Sequence, residues 1–222
     1  SVYKSQGEYG QAIKYYQQSL EIKQKIGDRS GIASSLNNLG SVYKSQGEYG
    51  QAIKYYQQSL EIKQKIGDRS GIESSLNNLG SVYKSQGEYG QAIKYYQQSL
   101  EIRREIGDRY RIAISLHNLG NIYKSQGEYG QAIKYYQQSL EIRREIGDRY
   151  GIAISLHNLG NTYSHKKDYQ QAINLLKQSR EIFREMNLYE RVSKVDETLK
   201  SLTEQSFLSV PKAPIIGVEP PS

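Results

Sequence analysis

The chain has 222 residues and carries 30 lysines and arginines against 23 aspartates and glutamates, a formal charge of +7. It has no cysteine, which excludes disulfides, thiolate metal sites and a cysteine nucleophile, and a reducing cytoplasm is the predicted compartment. Its longest apolar runs are too short to cross a bilayer, so no transmembrane segment is expected.

The sequence repeats itself with a period of 40 residues. The second copy differs from the first at one position, where Glu73 replaces Ala33. Near-identical copies occupy residues 1–40 and 41–80, diverged copies occupy 81–120 and 121–160, and a degenerate copy begins at Asn161. Such self-similarity is typical of repeat proteins, whose units stack because none can bury its apolar face alone.

Each repeat is predicted to form two helices. The first has four apolar side chains on one face at helical spacing, namely Ile32, Leu36, Leu39 and Tyr43. The second is predicted to bury a face made of Tyr49, Ala52, Ile53, Tyr56 and Leu60, with Lys63 as a further candidate. Gly47 is predicted to end the first helix, and Asp68 to cap the next one. We expect helices near residues 8–26, 29–45, 48–66 and 69–85, then at 40-residue steps, with no strands.

The pattern changes at both ends of the chain. Because the first copy starts in mid-pattern, we expect residues 8–26 to be an unpaired second helix after the tail of a truncated one. Near the other end, KSQGEYGQ becomes SHKKDYQQ. We expect the repeat array to span residues 1–188, a polar capping helix residues 189–205, and a disordered, proline-containing tail residues 206–222.

Several positions of the unit fall at the spacings of a known signature. They are Leu36, Leu39, Gly40, Tyr43, Gly47, Tyr49, Ala52, Tyr56 and Leu60. On these residues the chain resembles the tetratricopeptide repeat family, in the 40-residue form found in kinesin light chains and in bacterial, notably cyanobacterial, arrays. Ser59 stands where the family usually has alanine, and no proline closes the unit.

The resemblance implies an all-α fold, a right-handed superhelical α-solenoid of antiparallel helix hairpins. It also implies a concave groove, lined by the first helices, that binds an extended peptide or a partner helix. No cofactor and no enzymatic activity are expected. The basic pair that clamps a terminal carboxylate in one branch of the family is replaced here by Asn37 and Ser41, or by His117 and Asn121, so that mode of binding is not expected.

Catalytic motifs are not found in the sequence: there is no phosphate-binding loop, no HExxH and no GxSxG. His117 and His157 recur one repeat apart, and helix axes about 10 Å apart would hold their rings too far from one zinc ion, whose bonds are about 2 Å long. The carboxylates Glu48, Glu61 and Asp68 recur as helix-end and surface charges. These residues therefore favour a binding protein over an enzyme.

Nucleic acid is an alternative ligand, since helical repeats can read RNA one base per unit. Lys44, Lys84 and Lys124 form a basic row, and Arg103, Arg104, Arg143 and Arg144 add positive charge outside the groove. The arginines alternate with carboxylates, however, and ion pairing along a helix explains that pattern without a ligand. We expect nucleic acid not to be the partner.

The strongest binding signal is a polar stripe along the first helices. Asparagine is unfavourable in a helix interior, because its side chain competes for backbone hydrogen bonds. Its recurrence there favours a groove role, although a solvated face is polar in any case and Asn38 could simply bond a neighbouring backbone. The predicted peptide-binding residues, which we call the first-helix stripe, are Asn37, Asn38, Ser41, Lys44, Asn77, Asn78, Ser81, Lys84, Ile114, His117, Asn118, Asn121, Lys124, Ile154, His157, Asn158 and Asn161.

The stripe changes along the chain and so predicts the character of its ligand. Serine in the first copies gives way to Ile114 and Ile154, whereas the lysine row persists to Lys124. The predicted partner is a protein or peptide with an apolar anchor and an acidic stretch. Self-association through an uncovered apolar edge of helix 8–26 is the alternative, since exposed apolar area recruits partners.

Overall fold

A computed structural model describes residues 8–208, and their side chains up to residue 205; these residues form ten α-helices and no strand. The helices are α1 (Tyr9–Lys25), α2 (Arg29–Ser45), α3 (Tyr49–Lys65), α4 (Arg69–Ser85), α5 (Tyr89–Ile106), α6 (Arg109–Ser125), α7 (Tyr129–Glu145), α8 (Arg149–His165), α9 (Tyr169–Glu185) and α10 (Tyr189–Leu208). The predicted all-α repeat architecture is confirmed, and the predicted ends of α1 to α9 agree with the structure to within one residue. The truncated helix predicted before residue 8 lies outside the described residues.

Local chemistry sets where each helix begins and ends. Asp68 caps α4 by accepting a 2.8 Å hydrogen bond from the backbone N–H of Gly71, as predicted, and this satisfies one of the unpaired donors of the first turn. Gly47, just past α2, has a φ of +79°, a conformation that side chains disfavour. Lys167 occupies the equivalent turn before α9 with a φ of +64°.

Neighbouring helices pack in sequence order within each of two compact units, which divide the described residues between Gln126 and Gly127. In the first unit α2 packs on α1 and α3, α4 packs on α3 and α5, and α6 packs on α5. The first helices α2 and α4 also touch each other. In the second unit α8 packs on α7 and α9, and α9 packs on α10.

A glycine–tyrosine contact brings the two helices of a hairpin close together. A Cβ atom on Gly40 of α2 would lie only 2.9 Å from Cδ1 of Tyr56 in α3, so that ring fills the space a side chain would need. Gly80 faces Tyr96 in the same way, with a corresponding distance of 3.1 Å. Leu79, beside Gly80, is fully buried, as its position on the apolar face predicts.

The last helix closes the second unit with an apolar face. Val195 and Leu199 of α10 are buried in a cluster with Phe183 of α9. Phe183 and Val195 occupy the repeat positions that hold Arg143 and Ser155 one copy earlier, so a polar pair is replaced by an apolar one. Helix α10 extends to Leu208, three residues past the predicted end of the capping helix. The rest of the predicted tail lies outside the described residues, and the division into array, cap and tail stays a prediction.

Candidate peptide-binding surface

In the first unit the first-helix stripe runs along α2, α4 and α6. Asn38 is exposed, and the other stripe residues of this unit are half-buried. Every stripe residue of the first unit therefore keeps some exposed surface, on three helices that follow one another at the repeat spacing.

Stripe residues of adjacent helices hydrogen-bond to one another. Asn78 Nδ2 of α4 donates to Asn37 Oδ1 of α2 at 3.0 Å. Lys44 Nζ of α2 donates to Ser81 Oγ of α4 at 2.5 Å. These four side chains therefore join the two helices. The alternative interpretation of the stripe expected asparagine to bond a neighbouring backbone, whereas these bonds are between side chains.

Ser41 also faces the hairpin interior. Its side chain hydrogen-bonds to Tyr56, and this contact partly offsets the burial that raises the pKa of the Tyr56 hydroxyl. Burial lowers the pKa of Lys124, because the charged ammonium loses solvation inside the stack. The basic row is thus a half-buried set of amines rather than a fully solvated strip.

In the second unit the stripe comprises Ile154, His157, Asn158 and Asn161, all half-buried on α8. Asn161 Nδ2 lies 2.9 Å from His157 Nε2. A cavity of about 50 Å³ opens beside Ile154 and His157 and is closed by Phe183 of α9 and by Arg191, Lys194 and Val195 of α10. The apolar step predicted at Ile154 is therefore accompanied by two basic residues of the last helix.

The basic residues of α10 were not among the predicted site residues, because that segment departs from the repeat. Arg191 Nη2 donates to the hydroxyl of Tyr150 at 3.3 Å, and Lys194 pairs with Glu190 at 2.7 Å. Their spacing of three residues, which places two side chains on one helix face, is the sequence signal that could have identified them.

Charged residues are also buried between helices, and of these only Lys63 was a candidate for the buried face. Glu73, the residue that distinguishes the second copy, is 1% exposed and lies 2.5 Å from Arg103 Nη2 through Oε1. Ser99 Oγ donates to the same oxygen at 2.8 Å. In the preceding hairpin Ser59 Oγ donates instead to the backbone carbonyl of Ala33 at 2.8 Å. Lys63 is buried at the position equivalent to Arg103, and burial lowers its pKa.

Of the four arginines predicted to add charge outside the groove, two are buried and do not contribute surface charge. Arg103 and Arg143 are each only 7% exposed, whereas Arg104 is exposed and pairs with Glu101 at 2.8 Å. A helix turns by about 100° per residue, so adjacent side chains on it face different surroundings. Because Arg103 and Arg143 are buried, they are not available to contact phosphate groups, which further weakens the nucleic-acid alternative.

The described residues 8–208 contain neither a candidate membrane span nor a cluster of metal ligands. None of the ten helices is both long enough and apolar enough to span a bilayer. In the same range, no three histidine, aspartate or glutamate side chains come together in a way that could hold a metal ion.

Comparison with known proteins gives the family and the fold. The tetratricopeptide repeat family model matches residues 1–65, 71–145 and 111–185. No curated protein sequence matches significantly.

Several solved structures share the fold at identities below 25%. A kinesin light chain with nearly identical TPR-like repeats from Podosopora anserina superposes with a TM-score of 0.72 at 21% identity, over 84% of this chain and 92% of that one. The signal transduction ATPase PH0952 of Pyrococcus horikoshii, which has a tetratricopeptide repeat sensor, gives 0.78 at 22% identity over 92% of this chain and 33% of that one. A Rap protein complexed with competence and sporulation factor gives 0.63 at 17% identity, over 92% and 61%.

Proposed function

Because the chain belongs to the tetratricopeptide repeat family, we propose that it binds an extended peptide or a helix of a partner protein along the first-helix stripe. Tetratricopeptide repeats generally mediate protein–protein interactions, and the repeat fold is generally a non-catalytic scaffold. The stripe supplies the side chains, and the stacked second helices hold them in place.

The observation that carries the proposal is the amide pair shared by α2 and α4. The bond between Asn78 and Asn37 occupies one of the two N–H donors of Asn78 and one of the two lone pairs of Asn37 Oδ1. An asparagine amide has two donors and two acceptor lone pairs, so each of these side chains has capacity for further bonds. Pre-positioned donors and acceptors on adjacent helices match an extended backbone, which presents both kinds of group along its length.

The second unit supports the expected apolar anchor. The cavity beside Ile154 has room for a small apolar group, and its basic neighbours Arg191 and Lys194 favour an acidic residue next to that group. The first unit offers Ile114 with the lysines of the stripe. A ligand with alternating apolar and acidic residues therefore fits the surface of either unit.

One structural neighbour illustrates the kind of complex expected. The Rap protein of similar fold was solved with competence and sporulation factor bound. That factor is the ligand of the Rap protein. For this chain, the complex supports binding of a partner as the type of function.

The proposal is tested by comparing a stripe variant with a variant on the other face. Asn38→Ala, Asn78→Ala and Asn118→Ala are combined in one protein, and Arg104→Glu serves as the control, because Arg104 is exposed away from the stripe. Proteins retained by the immobilised wild-type chain are identified, and the segment responsible is mapped with synthetic peptides. Each peptide is then titrated by calorimetry.

We expect each asparagine replacement to weaken binding by about 1–3 kcal/mol, the cost of leaving a desolvated polar group unpaired. The Arg104→Glu protein should bind as the wild type does, and both variants should show the wild-type circular dichroism spectrum. If the triple variant binds unchanged and Arg104→Glu loses binding, the stripe is not the binding surface.

Self-association is a second candidate, favoured by apolar side chains on α1 and just after it. Ile22 of α1 and Ile26, the next residue after α1, are 59% and 70% exposed, whereas Ile146, the counterpart of Ile26 just after α7, is 38% exposed. Light scattering over a concentration series should show growth in mass that Ile22→Lys suppresses and Ile106→Lys, at a 52% exposed control position, does not. A mass independent of concentration in the wild type would exclude this candidate.

A further inference from the structure

A stacked pair of tyrosines recurs where the two helices of a hairpin meet in the first unit. The rings of Tyr43 in α2 and Tyr55 in α3 lie 5.3 Å apart at an angle of 9°. Those of Tyr83 in α4 and Tyr95 in α5 lie 5.4 Å apart at 6°. The pair is thus a feature of the repeat rather than of a single hairpin.

The hairpin of α8 and α9 keeps one member of this pair and lacks the other. Tyr163 of α8 corresponds to Tyr43 and Tyr83, but Leu175 of α9 stands where the earlier copies have a tyrosine. A leucine side chain is shorter than a tyrosine and has no ring to stack on Tyr163. The replacement therefore leaves unfilled the space that a second ring occupies in the other hairpins.

A cavity of about 580 Å³ lies at this position, within the size range of ligand pockets. Three leucines form an apolar floor; Leu140, Leu159 and Leu175 are only 7%, 2% and 9% exposed. The ring of Tyr163 also lines the cavity. The polar lining is contributed by Gln137, Glu141, Arg144, Glu145, Gln171 and Gln178.

We propose that this cavity binds a tyrosine side chain of a partner protein, which stacks on Tyr163 as Tyr55 stacks on Tyr43. The cavity lies among α7, α8 and α9 and uses none of the first-helix stripe, so it is a second contact site, independent of the function proposed above. Offset stacking of two phenol rings is favourable beyond the area that it buries.

The polar lining selects the form of the ligand. Glutamine amides and the Arg144 guanidinium can donate hydrogen bonds to a phenol oxygen, and the carboxylates of Glu141 and Glu145 can accept a hydrogen bond from its hydroxyl group. Two carboxylates against one guanidinium disfavour a phosphorylated tyrosine by charge repulsion. The cavity is larger than one phenol ring, so the peptide backbone on either side of the tyrosine is also accommodated, which favours a protein source over a free phenol.

The test uses four probes and three variants. The probes are N-acetyl-Gly-Tyr-Gly-amide, the same peptide with alanine or phosphotyrosine in place of tyrosine, and free p-cresol. Leu175→Tyr restores the ring of the earlier hairpins and so occupies the stacking position on Tyr163. Leu175→Met keeps the cavity and its apolar floor, and Tyr163→Leu removes the stacking partner. Binding is followed by nuclear magnetic resonance through the side-chain amide signals of the glutamines that line the cavity.

We expect the tyrosine peptide to bind weakly, as a small ligand must, to the wild type and to Leu175→Met. Leu175→Tyr should abolish the shifts, and Tyr163→Leu should weaken binding about 2- to 10-fold, the loss of one stacking contact. The alanine and phosphotyrosine peptides should bind less tightly than the tyrosine peptide.

Equal shifts with the tyrosine and alanine peptides, no shifts with the tyrosine peptide, or unchanged binding in Leu175→Tyr would overturn the proposal. If p-cresol binds as tightly as the tyrosine peptide, the proposal that the tyrosine belongs to a partner protein is refuted, and the cavity is assigned to free phenols. If Leu175→Tyr does not fold, the comparison of Tyr163→Leu with Leu175→Met decides the outcome alone.

Discussion

Glu73 and Arg103 form a buried ion pair, and replacing Arg103 should destabilise the chain more than replacing Glu73. Replacing Arg103 by methionine leaves the carboxylate of Glu73 without the 2.5 Å partner at Oε1, in a site where that carboxylate is 1% exposed. Arg111 Nη1, at 3.6 Å from Oε2, is a more distant second cation. Removing one member of a buried pair costs about 3–5 kcal/mol, and because Arg111 remains we expect about 3 kcal/mol for Arg103→Met.

Replacing Glu73 by alanine should cost less, because Arg103 keeps other acceptors. Its Nη1 donates to the backbone carbonyl of Arg111 at 3.1 Å and also to Ser115 Oγ. Ser99 can then bond the backbone carbonyl of residue 73, as Ser59 bonds that of Ala33. The next copy of the repeat already combines alanine with arginine, because Ala113 and Arg143 are the equivalents of Glu73 and Arg103. We expect about 1–2 kcal/mol for Glu73→Ala, the loss of a hydrogen bond to a charged group.

The double variant isolates the interaction between the two side chains. Without coupling, the two losses would add to about 4–5 kcal/mol, whereas an ion pair predicts a double variant close to Glu73→Ala alone. Urea unfolding followed by circular dichroism measures the three free energies, and an unchanged slope checks that each variant unfolds as the wild type does. Additive losses, or equal losses in the two single variants, would refute the assignment of Glu73 and Arg103 as a coupled buried pair.

Three further outcomes are expected. Leu79→Ala, at a fully buried position, should destabilise the chain by about 2–5 kcal/mol in urea unfolding, whereas Ile106→Ala, at a 52% exposed position, should cost less than about 0.5 kcal/mol. Gly40→Ala should destabilise, since its Cβ would meet the Tyr56 ring, but Gly50→Ala, with no atom within 4 Å, should stabilise by up to about 1 kcal/mol; equal effects in thermal melts would contradict the close-contact role. Burial raises the pKa of Tyr56 above its ordinary value of 10.0, so its contribution to stability is complete below pH 10 and is lost as the pH rises through the folded-state pKa. Tyr56→Phe should therefore raise the pH of alkaline unfolding, measured by circular dichroism, and an unchanged midpoint would show that this hydroxyl does not control it.

The sequence alone determined the local structure of this chain. The helix ends, the cap at Asp68 and the left-handed turn at Gly47 follow from interactions within a few residues, so a periodic pattern with capping residues locates them. The repeat also predicted two leucine positions that are buried in all four of the first helices α2, α4, α6 and α8, those represented by Leu36 and Leu79. The resemblance to the tetratricopeptide repeat family rests on the same local spacings.

Only the tertiary structure decided which polar residues meet. Asn37 and Asn78 are 41 residues apart, and Glu73 and Arg103 are 30 apart, so their contacts depend on how neighbouring helices pack and not on local spacing. Part of the predicted stripe consequently bonds within the scaffold. The cavity at Leu175 likewise cannot be read from the sequence, because its lining comes from three helices, α7, α8 and α9.

Adjacent residues illustrate the physical reason. Arg103 and Arg104 are identical in type, yet one is 7% exposed and the other lies on the surface. Whether an arginine is buried or exposed depends on whether its side of the helix faces a neighbouring helix or solvent. The packing of the helices decides this, and the local sequence does not.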